Sequence, residues 1–211
     1  MATVATHDDD ASVLTYDPLV SNANGPVDAL AAVIRGRRTA LRMDPDRPVD
    51  PAMIAELCEL ATWAPNHKRL EPWRFAVLTG NARAQLGRLT AEHQLAQGET
   101  DPERLAKSQG KYLRSPVVVV VGAIANTQPV LHAENRDAVA AAVQNFLLGA
   151  TARGLHSYWG TGTTTHAPEV KRLVGLAQED TIVAIVYLGW PLGPVDVPMR
   201  HPPLITWLDE T

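Results

Sequence analysis

Pro116-Val117-Val118-Val119-Val120-Val121-Gly122-Ala123-Ile124 is the stretch that decides the architecture. Five consecutive valines are stiff at χ1 and favour an extended backbone. A half-buried strand alternates polar and apolar residues. This one is apolar throughout, so both of its faces need covering. It predicts a central strand with a packing layer on each side. The run is far too short to span a bilayer, which takes about 20 apolar residues, and no membrane association is expected.

Working outward, Glu134 to Arg153 reads as one long helix, closed by Gly154 and apolar around most of its circumference. Such a helix belongs in a core or a subunit interface. Leu155 to Trp159 is a short strand followed by the small-residue loop Gly160 to Thr165. Pro168 to Leu173 is a helix closed by Gly175, and Thr181 to Leu188 a strand stopped by Gly189-Trp190-Pro191. On the other side, Trp73 to Thr79 is strand-like, and Asn81 caps a helix reaching about Gln97. The charged segment Gly98 to Gln109, with a helix from Asp101 to Tyr112, is the expected mobile lid. Earlier still, Pro26 to Arg35 and Asp50 to about Ala64 have helical spacing, the second stopped by Pro65. The tail carries Pro194, Pro198, Pro202 and Pro203 and is expected to be an extended arm. The sum is an α+β layout, a sheet of about four or five strands flanked by helices. Residues 26–211 form one domain, and residues 1–25 a flexible N-terminal arm.

With 211 residues the chain can bury one sizeable core. Net charge is −4 and the pI near 6.0, which argues against a nucleic-acid partner, since phosphate neutralisation needs a basic face. The single cysteine, Cys58, falls among Met53, Ile54, Leu57 and Leu60 and reads as a small core residue. The lack of paired cysteines fits a reducing cytoplasm. Residues 1–25 have neither the basic start nor the apolar middle of a signal peptide.

Several common sites are missing. No Gly-x-Gly-x-x-Gly follows a strand, so a tightly held dinucleotide is not expected. The lysine-bearing phosphate loop, His-Glu-x-x-His and Gly-x-Ser-x-Gly are absent too. His132 and Glu134 alone do not make metal spacing, so no metal and no acid, base or nucleophile is assigned.

Three segments suit a phosphorylated planar cofactor. Arg35-Gly36-Arg37-Arg38-Thr39 puts guanidinium groups and a hydroxyl just after a helix, donors matched to a phosphate monoester. A solvated helix end explains the same residues. Trp63-Ala64-Pro65-Asn66-His67, ahead of Glu71-Pro72-Trp73, frames an indole, an amide and an imidazole between prolines. These groups suit stacking on a ring or bonding to its carbonyls, or a turn whose tryptophans plug the core. Tyr158-Trp159-Gly160-Thr161-Gly162 permits close backbone approach to a ligand, or a tight strand-to-helix connection.

Taken in order, these segments resemble the nitroreductase family. The resemblance rests on Arg37-Arg38-Thr39 after the first helix, Ala64-Pro65 to Pro72-Trp73-Arg74-Phe75 entering a strand, and Gln144-Asn145-Phe146-Leu147-Leu148 on a buried helix. Val170-Lys171 to Gly175-Leu176 and Leu188-Gly189-Trp190-Pro191 complete it. It covers roughly residues 27–207. Ala64-Pro65-Asn66-His67-Lys68 and Trp159-Gly160-Thr161-Gly162 are similar to the minimal YdjA-type subgroup. The resemblance implies a nitroreductase-like fold, with a mixed, mainly antiparallel sheet in a domain-swapped homodimer that binds FMN where two chains meet. Arg37 and Thr39, with Arg38 adjacent, would hold the phosphate and ribityl chain. His67, and Trp63 from the other subunit, would approach the flavin. Trp159, Gly160 and Thr161 would line the ring side, and Arg200 would be a second phosphate-binding cation. Thr39 stands where the family has serine, preserving the hydroxyl. Trp63 stands where the subgroup has a basic or small residue, so its indole would narrow the substrate slot or stack on the substrate. The implied reaction is ping-pong. NAD(P)H, a transient co-substrate, reduces the FMN and leaves, and a small acceptor (nitroaromatic, quinone or enone-like) enters the same slot. A flavin store or sensor with little turnover is the alternative.

Overall fold

The computed structural model describes residues 25–196 and 199–208. All but Gly25 of the expected N-terminal arm lies outside them. Helices α1 (Pro26–Gly36) and α2 (Pro51–Thr62) come first, each with proline in its first turn, and the Asp50 side chain accepts from the Ala52 N–H. Strand β1 (Trp73–Leu78), helices α3 (Gly80–Ala96) and α4 (Pro102–Gly110) and strand β2 (Val117–Ala123) follow. Then come α5 (Pro129–Ala152), β3 (His156–Gly160), α6 (Pro168–Leu173) and β4 (Thr181–Gly189).

The strands form one antiparallel sheet in the order β1-β2-β4-β3. The valine run is its second strand, and its two faces serve two cores. Val117, Val119, Val121 and Ala123 point to the side of α2 and α5, packing with Leu57, Phe146 and Leu147. Val118 and Val120 point the other way, toward Leu86 of α3, Val170 of α6 and Tyr112. This alternation is why every residue of β2 is apolar.

The four-strand sheet and most boundaries match the sequence reading; the differences have local causes. α3 begins at Gly80, with Thr79 rather than Asn81 at its N-cap. α5 begins five residues earlier than expected, because Pro129 suits a first helical turn. The expected lid is a packed helix: α4 rests on α3 so closely that a Cβ on Gly87 would lie 2.0 Å from the Gln109 carbonyl oxygen. The Gln-Asn pair is not buried within the protomer, where Gln144 is exposed and Asn145 half-buried. Residues 199–208 belong to no helix or strand and expose Met199, Leu204, Ile205, Trp207 and Leu208. Among the described residues no helix is long and apolar enough to cross a membrane.

Candidate active site

The backbone after α1 runs beside β3. Thr39 bridges Ser157 in parallel, and the Ala40 N–H donates to the Ser157 carbonyl at 3.1 Å. Two segments far apart in sequence thus become neighbours. Trp159, Gly160 and Thr161 follow two to four residues beyond Ser157, on the strand that Thr39 touches. Thr39 and Thr161 are exposed, Arg37 half-buried. Trp159 shares the α5 side of the sheet with Ser157, and its indole N–H donates to the Val183 carbonyl at 3.2 Å. It is therefore a fixed wall rather than a free donor. Gly162 adopts φ +114°, which side chains disfavour, and turns the chain out of β3.

Arg38 behaves differently from its neighbour. Its Nη1 donates to the carbonyls of Arg35 at 2.5 Å and Arg37 at 2.8 Å, closing the end of α1. Its Nε is buried, and so is the hydroxyl of Ser157, neither with a hydrogen-bond partner among the described residues. Arg200 lies exposed in the tail, without an ion pair or hydrogen bond to another described residue.

Trp63 and His67 follow α2. Trp63 is 77% exposed at the end of α2, its indole N–H held by Glu59 Oε1 at 2.5 Å. His67 Nδ1 lies 2.5 Å from Glu134 Oε2. The contact joins residues 67 apart in sequence, and sequence reasoning missed it: nothing local in Glu134 points to His67. The turn around it is strained, with positive φ at Lys68 (53°), Arg69 (54°) and Glu71 (47°). Left-handed backbone costs a non-glycine residue roughly 1–2 kcal/mol. Such strain persists where the surroundings over-determine it, often at functional sites. Here Pro65 and Pro72 flank the turn, Asn66 Oδ1 accepts from the Glu71 N–H at 3.0 Å, and Glu134 anchors the imidazole.

Among the described residues no hydrogen bond or ion pair joins Trp159, Gly160 or Thr161 to Trp63 or His67. The His67 turn packs against α5 near Glu134, whereas β3 begins just past the other end of that helix. β1 and β3 are also opposite edges of the sheet, about 14 Å apart at the usual strand spacing.

Cys58 is half-buried against the α2–α5 core, and burial pushes its thiol up to about 11, which suits packing rather than nucleophilic chemistry. Among the described residues no three His, Cys, Asp or Glu side chains gather as a metal site would need.

A two-sided α+β sheet, with an arginine-hydroxyl motif bridged to the strand that carries Trp159 to Thr161, defines the class. Comparison with known proteins supplies the family. The sequence model of the Nitroreductase family matches residues 34–190. YdjA of Escherichia coli strain K12, which carries the name NAD(P)H nitroreductase as an assignment, is 28% identical over 166 residues, 78% of this chain and 89% of YdjA. YfhC of Bacillus subtilis strain 168, named in the same way, is 28% identical over 176 residues, 82% of this chain and 90% of YfhC. The crystal structure of a nitroreductase-like family protein from Bacillus cereus superposes with a TM-score of 0.72 at 30% identity, covering 82% of this chain and 91% of that one. The chain belongs to the nitroreductase family, and its chemistry is that of an oxidoreductase.

Proposed function

We propose that this protein is an FMN-dependent oxidoreductase that passes a hydride from NAD(P)H to a small acceptor, a nitroaromatic, quinone or enone-like compound, and works as a homodimer. The observation that carries the reading is the Thr39–Ser157 bridge, because it sets a phosphate-type donor set beside the strand of Trp159, Gly160 and Thr161. The donors fit the group: the Arg37 guanidinium offers forked, charge-assisted bonds, Thr39 an exposed hydroxyl, and the buried Ser157 Oγ beside them has no hydrogen-bond partner among the described residues. FMN, when bound, supplies the two-electron chemistry. Arg37 and Thr39 hold its phosphate end, Arg38 fixes the backbone beneath them, Trp159 walls the slot, and Gly160 and Thr161 let the backbone approach the ring.

We place the rest of the slot on a second chain. The partner protomer's Trp63 and His67 complete the slot. The open faces agree. α1 exposes Val27, Leu30 and Ile34, and the tail exposes five large apolar side chains. The outer edge of β3 is already bridged by Thr39, which leaves β1 as the edge open to an added strand. The tail of one protomer reaches across to the other, and Arg200 travels with it as a second phosphate-binding cation. In the cytoplasm, where NAD(P)H is at hand, such an enzyme needs no resident dinucleotide site.

Titrating flavin-free protein with FMN tests this. Quenching of flavin fluorescence that saturates at one FMN per protomer, on a species of dimeric mass, is expected. A monomer that leaves FMN fluorescence unchanged refutes it.

A further inference from the structure

We infer that His67 donates the proton that the electron acceptor needs, and that Glu134 is the positioning residue that aims it. The inference rests on the oxidoreductase reading above and adds the acid which that reading lacks.

An ionised carboxylate can only accept a hydrogen bond, so the 2.5 Å contact to Glu134 Oε2 puts a hydrogen on His67 Nδ1. Glu134 thereby fixes both the ring's tautomer and its direction, as carboxylates do for catalytic imidazoles. Nε2 is left as the working nitrogen: it has no hydrogen-bond partner among the described residues, and the side chain is 47% exposed. Backbone and side chain are both pinned, the one by the left-handed turn between Pro65 and Pro72 and the other by α5. The turn's other polar groups suit the task poorly. Arg69 does not release its proton, the Trp63 N–H is committed to Glu59, and Lys68 extends from an exposed position on a flexible stem. Imidazole is the side chain that exchanges protons near neutral pH.

The ping-pong cycle makes demands that differ between its halves. NAD(P)H delivers two electrons and one hydrogen together, and no protein acid is required. A quinone, once it has received a hydride, needs one proton more to become a hydroquinone. A nitro group, given a hydride and one proton, becomes a nitroso group and water. In our assignment His67 acts as the imidazolium, its charge balanced by Glu134: the Nε2–H bond breaks, an O–H bond forms on the acceptor oxygen, the neutral ring keeps its hydrogen on Nδ1, and solvent restores the proton to Nε2. Ferricyanide, a one-electron oxidant, takes electrons without any proton.

Stopped-flow reoxidation of the FMN-loaded, NADPH-reduced dimer separates these cases, with 1,4-benzoquinone and ferricyanide as paired acceptors. Positioned general acids contribute about 10²–10⁴-fold. The benzoquinone-to-ferricyanide rate ratio should therefore fall about a hundredfold in His67→Gln and about tenfold in Glu134→Gln. Exogenous imidazole should restore part of that ratio in His67→Ala. Because the readout is a ratio within one preparation, weakened FMN binding or partial misfolding cancels. A ratio within about twofold of wild type in both Gln variants overturns the proposal and leaves the pair as an anchor for the turn. Failure of the underlying reading looks different: wild-type protein takes up no FMN, or NADPH does not reduce it.

Discussion

Adjacent arginines with opposite duties make the sharpest prediction. Arg37 is assigned to the FMN phosphate. Arg38 folds back on α1 and caps the carbonyls of Arg35 and Arg37 at 2.5 and 2.8 Å. Each such bond contributes about 0.5–1.5 kcal/mol net. Removing Arg38 also removes a buried, unpartnered Nε, which offsets part of the loss. The net cost of Arg38→Ala is therefore about 1 kcal/mol, a fall in Tm of about 2–4 °C for a chain of this size. Arg37→Ala loses charge-assisted bonds to phosphate worth roughly 1.5–3 kcal/mol, about a 10- to 150-fold rise in the Kd for FMN. Flavin fluorescence titration gives the Kd, and a thermal melt of the FMN-free protein gives the Tm. Arg38→Ala should change the Kd less than about threefold. The reasoning is refuted if Arg38→Ala weakens FMN as much as Arg37→Ala while its Tm stays at the wild-type value.

Gly87→Ala would place a Cβ 2.0 Å from the Gln109 backbone oxygen, so α3 and α4 must part. The roughly 1 kcal/mol gain in helix propensity is smaller than an overpacking cost at or above about 3 kcal/mol, and the urea midpoint should fall. Burial raises the Cys58 thiol from 9.0 to about 11. At a given pH the native protein then holds about 100-fold less thiolate, and iodoacetamide should label Cys58 far more slowly in native than in urea-unfolded protein. The same shift weakens the fold as pH rises from 9 toward 11, because the unfolded chain releases its proton first. His156 is half-buried, and burial holds its imidazole below the ordinary 6.5, opposed in part by the Arg42 carbonyl. The unfolded chain therefore takes up the proton first on acidification. Stability should drop as pH falls below 6.5, and His156→Asn should flatten that part of the pH–stability curve.

The fold was legible because its deciding signals are local. A run of valines can only be a strand covered on both sides. Prolines and glycines mark most helix ends within a few residues, as at Pro26, Gly154 and Gly175. The Arg37-Arg38-Thr39, Ala64 to His67 and Trp159 to Thr161 segments also stood out in sequence. What they do with one another did not. Nothing local says that Arg38 turns back on its own helix, that Trp159 spends its N–H on a strand carbonyl, or that Glu134 reaches His67. The last two are settled by tertiary packing, the first by which carbonyls the end of α1 leaves open. The long helix was expected in a core or a subunit interface; it covers the sheet with one face and leaves Gln144 facing outward on another.

The visible absorption spectrum of the purified dimer, recorded anaerobically before and after NADPH, tests the central claim most directly. The account predicts a protein-bound flavin band in the blue that NADPH bleaches and benzoquinone restores. A colourless protein that acquires no such band after incubation with FMN, or a band that NADPH leaves untouched, contradicts it.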